Sequence, residues 1–425
     1  LSLHPLLFHR LLTLSPSFIL NLIYNMNASA SAKSRAKVSA VHKVASVQQQ
    51  KQQIKSSALV FNCTQENLKR GLDAVSGMAG KSVSLPILTH VLLRAEQGKL
   101  TLATTDLEIA LTARVPGKTE AEGVVAVPFR ALHEFVVNLP AGTLVLRAEK
   151  NALTVEAPQA QGRFQGEAAD NFPLIPTLTE GQHYTLPAAG FVTALQRVLY
   201  AAATDDARPE IGGIWLNAQD GQLVFAATDS YRLAEAVLPA PQVPAVAGVL
   251  IPRKAALELA RVFSGEEEIK LQWGEGHLMV ESAALVLLTR LIDATFPDYR
   301  AVIPRSTSTS VVMSRLSLQQ AIRAASVFSR DVAAVTLTTE DKGLRVAADV
   351  EELGSTEMLV EGRVEGKATA RFNPRFILEA LQALGGEEIY FGFSDDSSPA
   401  IMRPWQSKRQ EPVASPLAVI MPMKE

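Results

Sequence analysis

The sequence predicts an α+β chain in which one domain plan is performed three times. Three observations carry that reading: proline-led amphipathic helices at near-constant spacing, Asp and Phe-Pro landmarks that keep the same period, and alternating β-branched runs between them. The prolines of Val127-Pro128-Phe129-Arg130-Ala131-Leu132, Ile251-Pro252-Arg253-Lys254-Ala255-Ala256 and Asn373-Pro374-Arg375-Phe376-Ile377-Leu378 lie 124 and 122 residues apart. Asp106, Asp229 and Asp349 are 123 and 120 apart, and Phe172-Pro173 and Phe296-Pro297 are 124 apart.

Taken in order, residues 1–57 come first and carry seven Lys/Arg and no acid. The stretch Leu1–Asn25 is apolar but broken by His4, Pro5, His9, Arg10 and Pro16. Met26 reads as a natural start, with a signal or transit peptide as the alternative. Residues 27–57 read as a disordered basic tail, so 1–57 is set aside as a disordered or non-native extension. Each repeat then opens on a helix, expected near 64–78, 187–203 and 314–328. Alternating runs such as Lys99–Ala103, Leu144–Ala148 and Ile269–Trp273 read as strands.

The proline-led helices place apolar residues at i, i+3, i+4 and i+7. These are Leu132/Phe135/Val136/Leu139, Ala256/Leu259/Ala260/Phe263 and Ile377/Ala380/Leu381/Leu384. They stop at Pro140-Ala141-Gly142, Ser264-Gly265 and Gly385-Gly386. A period near 120 residues is too long for a solenoid. The expected domains are 58–180, 181–306 and 307–425.

Composition bounds the function. The 425 residues are 47% hydrophobic and 20% charged, enough for a sizeable core. The net charge of −2 hides an asymmetry, because the body after residue 57 holds 34 basic and 43 acidic groups. A protein that coats nucleic acid shows the opposite balance, so any positive potential must be confined to one surface. The one cysteine, Cys63, excludes an intramolecular disulfide and fits a reducing, cytoplasmic compartment. No histidine pair has metal-ligand spacing, and there is no phosphate-cradling glycine loop or nucleophile elbow. The acid pairs Asp205-Asp206, Glu351-Glu352 and Asp395-Asp396 sit in turn-like polar stretches. An acidic-site hydrolase and a repeat scaffold that binds only proteins stay open beside a non-catalytic DNA-binding reading.

Five motifs occur in register with the repeat: Leu85-Pro86-Ile87-Leu88, Thr105-Asp106-Leu107-Glu108, Ala227-Thr228-Asp229-Ser230-Tyr231-Arg232-Leu233-Ala234, Phe296-Pro297-Asp298-Tyr299 and Val419-Ile420-Met421-Pro422-Met423. Over 58–425 the chain resembles the beta subunit of bacterial DNA polymerase III, the sliding-clamp family. The resemblance implies three tandem clamp domains and a head-to-tail homodimer closed into a ring, with helices inside and sheets outside. It implies duplex DNA held without sequence preference, processivity for the replicative polymerase, no catalysis, and neither cofactor nor metal. Lys69, Arg70, Arg130, Arg197, Arg253, Lys254, Arg315, Arg323 and Arg375 fall on the helices and would face DNA, a solvated helix face being the plain alternative. Lys81 resembles a loop residue that touches DNA in the family.

The resemblance further implies a cleft between the second and third domains. There the polymerase, clamp loader and repair factors would insert a short peptide with glutamine and apolar anchors. Its wall would comprise Ile211, Thr228, Ser230, Tyr231, Arg232, Leu233, Pro297, Val302, Ser398, Val419, Met421, Pro422 and Met423. Independently, that C-terminal run carries more apolar surface than a free end should leave in water, and methionines suit a surface that accepts several partners. A terminal strand packed in its own domain explains alternate residues of it. Ser230-Tyr231 departs from the family's frequent Gly-His, Glu210 from an aromatic and Ala301 from a basic residue. Phe164, Val327 and Phe328 match subunit-interface positions, with core packing as the alternative.

Overall fold

The computed structural model describes residues 58–79, 85–178, 183–205, 207–274, 276–328, 334–350 and 354–424. The N-terminal extension, Lys81, Asp206, Glu351 and Glu352 lie outside the described residues. The first helix of each repeat is α1 (Gln65–Val75), α3 (Ala188–Leu199) and α5 (Arg315–Ser326); the second is α2 (Phe129–Val137), α4 (Arg253–Val262) and α6 (Pro374–Leu384).

Local chemistry sets the helix starts. Thr64, Ser314 and Asn373 cap α1, α5 and α6 with side-chain oxygens that accept from Asn67, Ser317 and Arg375 backbone N–H groups. Pro128, Pro187 and Pro252 stand at the N-caps of α2, α3 and α4 with φ between −60° and −53°, which the ring already favours. The first amide of each opening helix is used alike: Gln65 donates to the Gly142 carbonyl at 2.8 Å, Ala188 to Glu267 at 3.0 Å and Arg315 to Glu387 at 2.9 Å. Each opening helix is thereby tied to the turn after the second helix. All three end a few residues before the expected positions. The Ser76 and Ser326 hydroxyls bond back to the Asp73 and Arg323 carbonyls at 2.7 Å and draw the last turn closed.

The helices bury the stripes read from the sequence, with Leu68, Leu72 and Val75 on α1 and Ile377, Ala380, Leu381 and Leu384 on α6. Each fully buried Leu or Phe contributes about 1.5–3 kcal/mol. One core runs through the first two repeats and a second fills the third.

Every strand pairing is antiparallel, and two sheets cross repeat boundaries. In the eight-stranded sheet, Leu285–Arg290 pairs with Ile109–Val115, from Leu285 opposite Ala113 to Thr289 opposite Ile109. In the thirteen-stranded sheet, Arg232–Pro239 pairs with Leu417–Ile420, from Arg232 opposite Ile420 to Glu235 opposite Leu417. These pairings join repeat one to two and two to three. Ala160–Gln165 in the first repeat and the 354–361 part of Gly354–Glu365 in the third each keep one unpaired edge among the described strands, as do shorter sheet-end strands such as Lys118–Ala121 and Tyr184–Pro187.

One landmark shifts. Asp106 and Asp229 occupy turns, but Asp349 lies within the strand Gly343–Val350, opposite Ser355, where the first repeat has Thr105 opposite Ala110.

Candidate functional sites

Most of the cations expected to face DNA already have a partner. Lys69 pairs with Asp73 at 3.0 Å, Arg70 with Glu66 at 3.0 Å, Arg130 with Glu134 at 2.8 Å and Arg375 with Glu379 at 3.0 Å, all four residues apart on one helix. Lys254 pairs with Asp106 across the first boundary. Arg315 donates to the Gly386 carbonyl at 2.7 Å and the Leu381 carbonyl at 3.4 Å, closing the end of α6. Arg261, which sequence reasoning passed over, does the same for α1 through the Asp73 and Ala74 carbonyls. Arg197, Arg253 and Arg323 have no side-chain partner among the described residues. Arg197 and Arg253 line one groove of about 680 Å³ where α3, α4 and α6 meet, beside Thr193, Gln196 and Gln382. The Arg253 Nε there is shut off from water and has no acceptor.

The Thr-Asp motif folds into a tight turn at both of its well-matched positions. Asp229 Oδ1 accepts from the Tyr231 and Arg232 amides, both at 3.0 Å, while the Thr228 hydroxyl donates to the Arg232 carbonyl at 2.7 Å. Asp106 and Thr105 repeat the pattern on Glu108 and Ile109. Both turns need a left-handed residue, and Leu107 and Ser230 supply it with φ of 79° and 77°. Arg208 holds the Ser230 hydroxyl at 2.9 Å.

Around this turn the structure sorts the expected wall residues. Ile211, Leu233 and Val419 are buried, and Leu233 and Val419 share one apolar cluster that forms a floor. Tyr231 is 64% exposed, Val302 50% and Met421 36%, so these stand up from it, with Pro297 exposed and Thr228, Pro422 and Met423 half-buried. The tail divides in two. Leu417–Ile420 is a central strand with every residue buried, which satisfies the packed-strand alternative for Val419. Met421 then reaches the surface, its amide held by the Tyr231 carbonyl at 2.8 Å. Ser398 sits in a loop pinned by Asp395, whose carboxylate accepts from the Ser397 and Ser398 amides at 2.8 and 2.7 Å. The Ser397 hydroxyl, which donates to the same oxygen at 2.7 Å, and then these amides hold its pKa down to about 2. Asp205 likewise organises its own turn, accepting from the Ala207 amide at 2.9 Å.

Arg232 behaves differently from the wall role expected of it. Its side chain is 7% exposed, paired with Asp229 at 3.0 Å and with Glu379 on α6. Its guanidinium lies 4.4 Å from the Phe376 ring centroid and 5.4 Å from that of Tyr200. It braces the turn from behind. Glu379, Tyr200 and Phe376 were missed from sequence, although Glu379 stands four residues after Arg375.

The same carboxylate gives a pH dependence. Burial alone would raise Glu379, but hydrogen bonds from Arg232 and Arg375 outweigh it and hold its pKa below the ordinary 4.5. Burial against the Lys254 and Ile109 hydrogen bonds leaves Asp106 below 3.8 in the same way. A carboxylate depressed on folding stabilises above its unfolded pKa, and that stability is lost as pH falls through the folded value. Both repeat boundaries should therefore weaken below about pH 4. Melting temperature against pH should drop steeply there, and Glu379→Gln should flatten the drop; an unchanged slope would refute the assignment.

Phe164 is half-buried on its open-edged strand, edge-on to Phe135 at 5.5 Å. Phe328 packs against the third-repeat core, and Val327 beside it is 64% exposed. No group of acids, histidines or cysteines among the described residues is arranged to hold a metal. No helix among them is long and apolar enough to cross a membrane.

Comparison with known proteins gives a consistent picture. Residues 59–176, 185–298 and 300–423 match the N-terminal, central and C-terminal domains of the DNA polymerase III beta subunit. The chain is 30% identical over 349 residues to the beta sliding clamp of Pseudomonas aeruginosa, covering 80% of this chain and 95% of that one. It is 28% identical to that of Escherichia coli K12, covering 86% and 99%. Among solved structures it is similar to the DNA polymerase III beta subunit of Thermotoga maritima, with a TM-score of 0.80, 26% identity and coverage of 86% and 100%. It is similar also to the Pseudomonas aeruginosa sliding clamp bound to griselimycin, with a TM-score of 0.81, 28% identity and coverage of 87% and 100%.

Proposed function

The chain belongs to the DNA polymerase III beta-subunit family, the sliding clamps, and from that membership we propose how its surfaces divide the work. As in the family it is a non-catalytic DNA sliding clamp that gives a polymerase processivity. Two copies associate head to tail into a closed ring of six repeats, with α1–α6 of each lining the hole. One observation carries ring closure: both internal boundaries join the same pair of repeat strands, and the remaining members of that pair, one in the first repeat and one in the third, each keep an unpaired edge. A head-to-tail contact that closes on itself uses up both of these edges.

Duplex DNA passes through the hole, held by sequence-blind phosphate contacts that permit sliding. The acidic balance of the body, 34 basic against 43 acidic groups, keeps DNA off the outside. Arg197 and Arg253 make the strongest phosphate contacts, because neither spends its charge on a neighbouring carboxylate. The surface around Tyr231, Val302 and Met421 takes the apolar anchors of a short peptide from the polymerase, clamp loader and repair factors in turn. The lone thiol and the absence of a membrane-crossing helix among the described residues fit action in the cytoplasm on the nucleoid.

The protein loaded on nicked circular DNA should stay bound and should slide off once the circle is cut; equal retention on both would defeat the encircling reading. Arg197→Ala with Arg253→Ala should reduce the dependence of binding on salt by about one unit of log–log slope for each phosphate no longer neutralised. Arg70→Ala with Arg130→Ala should change it less, since Glu66 and Glu134 already neutralise those charges.

A further inference from the structure

On the outer face of the thirteen-stranded sheet the floor of the peptide cleft continues into a different kind of surface. Leu233 stands opposite Thr228 on one side and Val419 on the other, and Ile401 is opposite Val419. Two residues further along the same face, Glu235 stands opposite Ala226 and Leu417, and Arg403 follows Ile401. Here the face opens into a groove of about 570 Å³, roofed by the segment Arg300–Arg305. Three guanidiniums line it, those of Arg300, Arg305 and Arg403, against the single carboxylate of Glu235.

That carboxylate is already engaged, since the Tyr299 hydroxyl donates to it. Burial and then this bond push the Tyr299 hydroxyl well above its ordinary value, so it remains a donor. Arg300 lies beside the same hydroxyl. Arg305 and Arg403 have no acceptor among the described residues, and the Arg403 Nε is shut off from water without a partner. Guanidiniums that line one groove without a carboxylate partner favour an incoming anion. This positive groove lies on a body with an excess of acids.

We propose that the groove lined by Arg300, Arg305 and Arg403 binds acidic side chains flanking the apolar anchor of the partner peptide. This rests on the peptide-cleft reading above and extends it. Continuity identifies the occupant. An extended peptide seated over Leu233 and Val419 advances roughly 3.3 Å per residue, so a residue two to four positions beyond its anchor reaches Arg403. Tyr299 and Ile303 lie between the two halves and give the intervening backbone an apolar support. The groove selects partners by charge, which an apolar cleft alone does not do.

The test is fluorescence anisotropy on the full chain with one labelled core peptide containing glutamine, leucine and phenylalanine. The core is extended at either end by three glutamates, by a Gly-Ser-Gly spacer or by three lysines. The glutamate extension at one end should tighten binding roughly three- to tenfold over the spacer at low salt. The gain should vanish at high salt and in Arg305→Glu with Arg403→Met, whose affinity for the core peptide should be unchanged. Equal binding of glutamate and spacer peptides from both ends, or a gain that survives the double substitution, overturns the proposal. So does a single-stranded oligonucleotide whose binding is lost in that variant, because the groove then serves phosphates. If the core peptide itself fails to bind, the cleft reading falls and takes this one with it, a result distinct from loss of the glutamate gain alone.

Discussion

Arg232→Ala is expected to lower stability by about 3–5 kcal/mol, the usual cost of removing one member of a buried ion pair. The arginine is 7% exposed and contacts two carboxylates, Asp229 at 3.0 Å and Glu379. Truncation leaves Asp229 without its cation and opens a void between the Tyr200 and Phe376 rings. Arg232→Lys should recover little, because a point charge cannot serve two carboxylates and two ring faces together. The matched control is Arg375→Ala. Arg375 pairs with the same Glu379 at 3.0 Å but is 74% exposed, so its loss should cost well under 1 kcal/mol. Denaturant unfolding of the two variants gives the comparison directly, and an Arg232→Ala cost as small as the control would show that the pair is not structural. A second readout follows from the turn. Asp229 holds both the Tyr231 and Arg232 amides, so peptide binding should weaken in Arg232→Ala although Arg232 itself faces away from the cleft.

How much of this was legible in the sequence depends on the range of each interaction. Helix stripes are local, so Leu132, Val136, Leu259 and Ile377 could be placed on buried faces from spacing alone, and all four are buried. The Thr-Asp turns were recognisable as motifs for the same reason. Helix ends were overrun because Ser76 and Ser326 turn their hydroxyls back on their own helices, which apolar periodicity does not register. The direction of Arg232 was beyond reach, since Glu379 lies 147 residues away in sequence and only folding brings them together. Charge neutralisation on the helices was legible and overlooked. Glu66, Glu134 and Glu379 each stand four residues from an arginine, and this spacing separates Arg70, Arg130 and Arg375 from the unpaired Arg197 and Arg253. The Arg300, Arg305 and Arg403 groove joins residues from two distant segments and left no local signal.

Cysteines at Gln161 and Glu357 should trap the closed ring, because the repeat itself supplies the register of the seam between subunits. Ala152 opposite Gln165 corresponds to His277 opposite Arg290, which places Ala160–Gln165 where Leu285–Arg290 stands one repeat later. Val115 opposite Leu100 corresponds to Val360 opposite Leu344, both valines facing their cores. Carrying over the pairing of Leu285 with Ala113 and Leu287 with Leu111 sets Gln161 opposite Glu357 of the partner subunit. Arg163 then stands opposite the partner's Ser355, and Ala160 and Phe164 face inward. Paired residues in antiparallel strands have Cα atoms about 4.5–5.5 Å apart, within reach of a disulfide. Gln161→Cys with Glu357→Cys should therefore oxidise to a covalent dimer in high yield and, once loaded, resist salt on circular DNA. Cys63 will not interfere, since it is buried and its thiol is pushed up to about 12 by that burial. Gln161→Cys with Met358→Cys is the control, one residue out of register and on the opposite face of the strand. If the control cross-links as well as the test pair, or if neither does, the seam is not built by the pairing that joins the repeats within the chain.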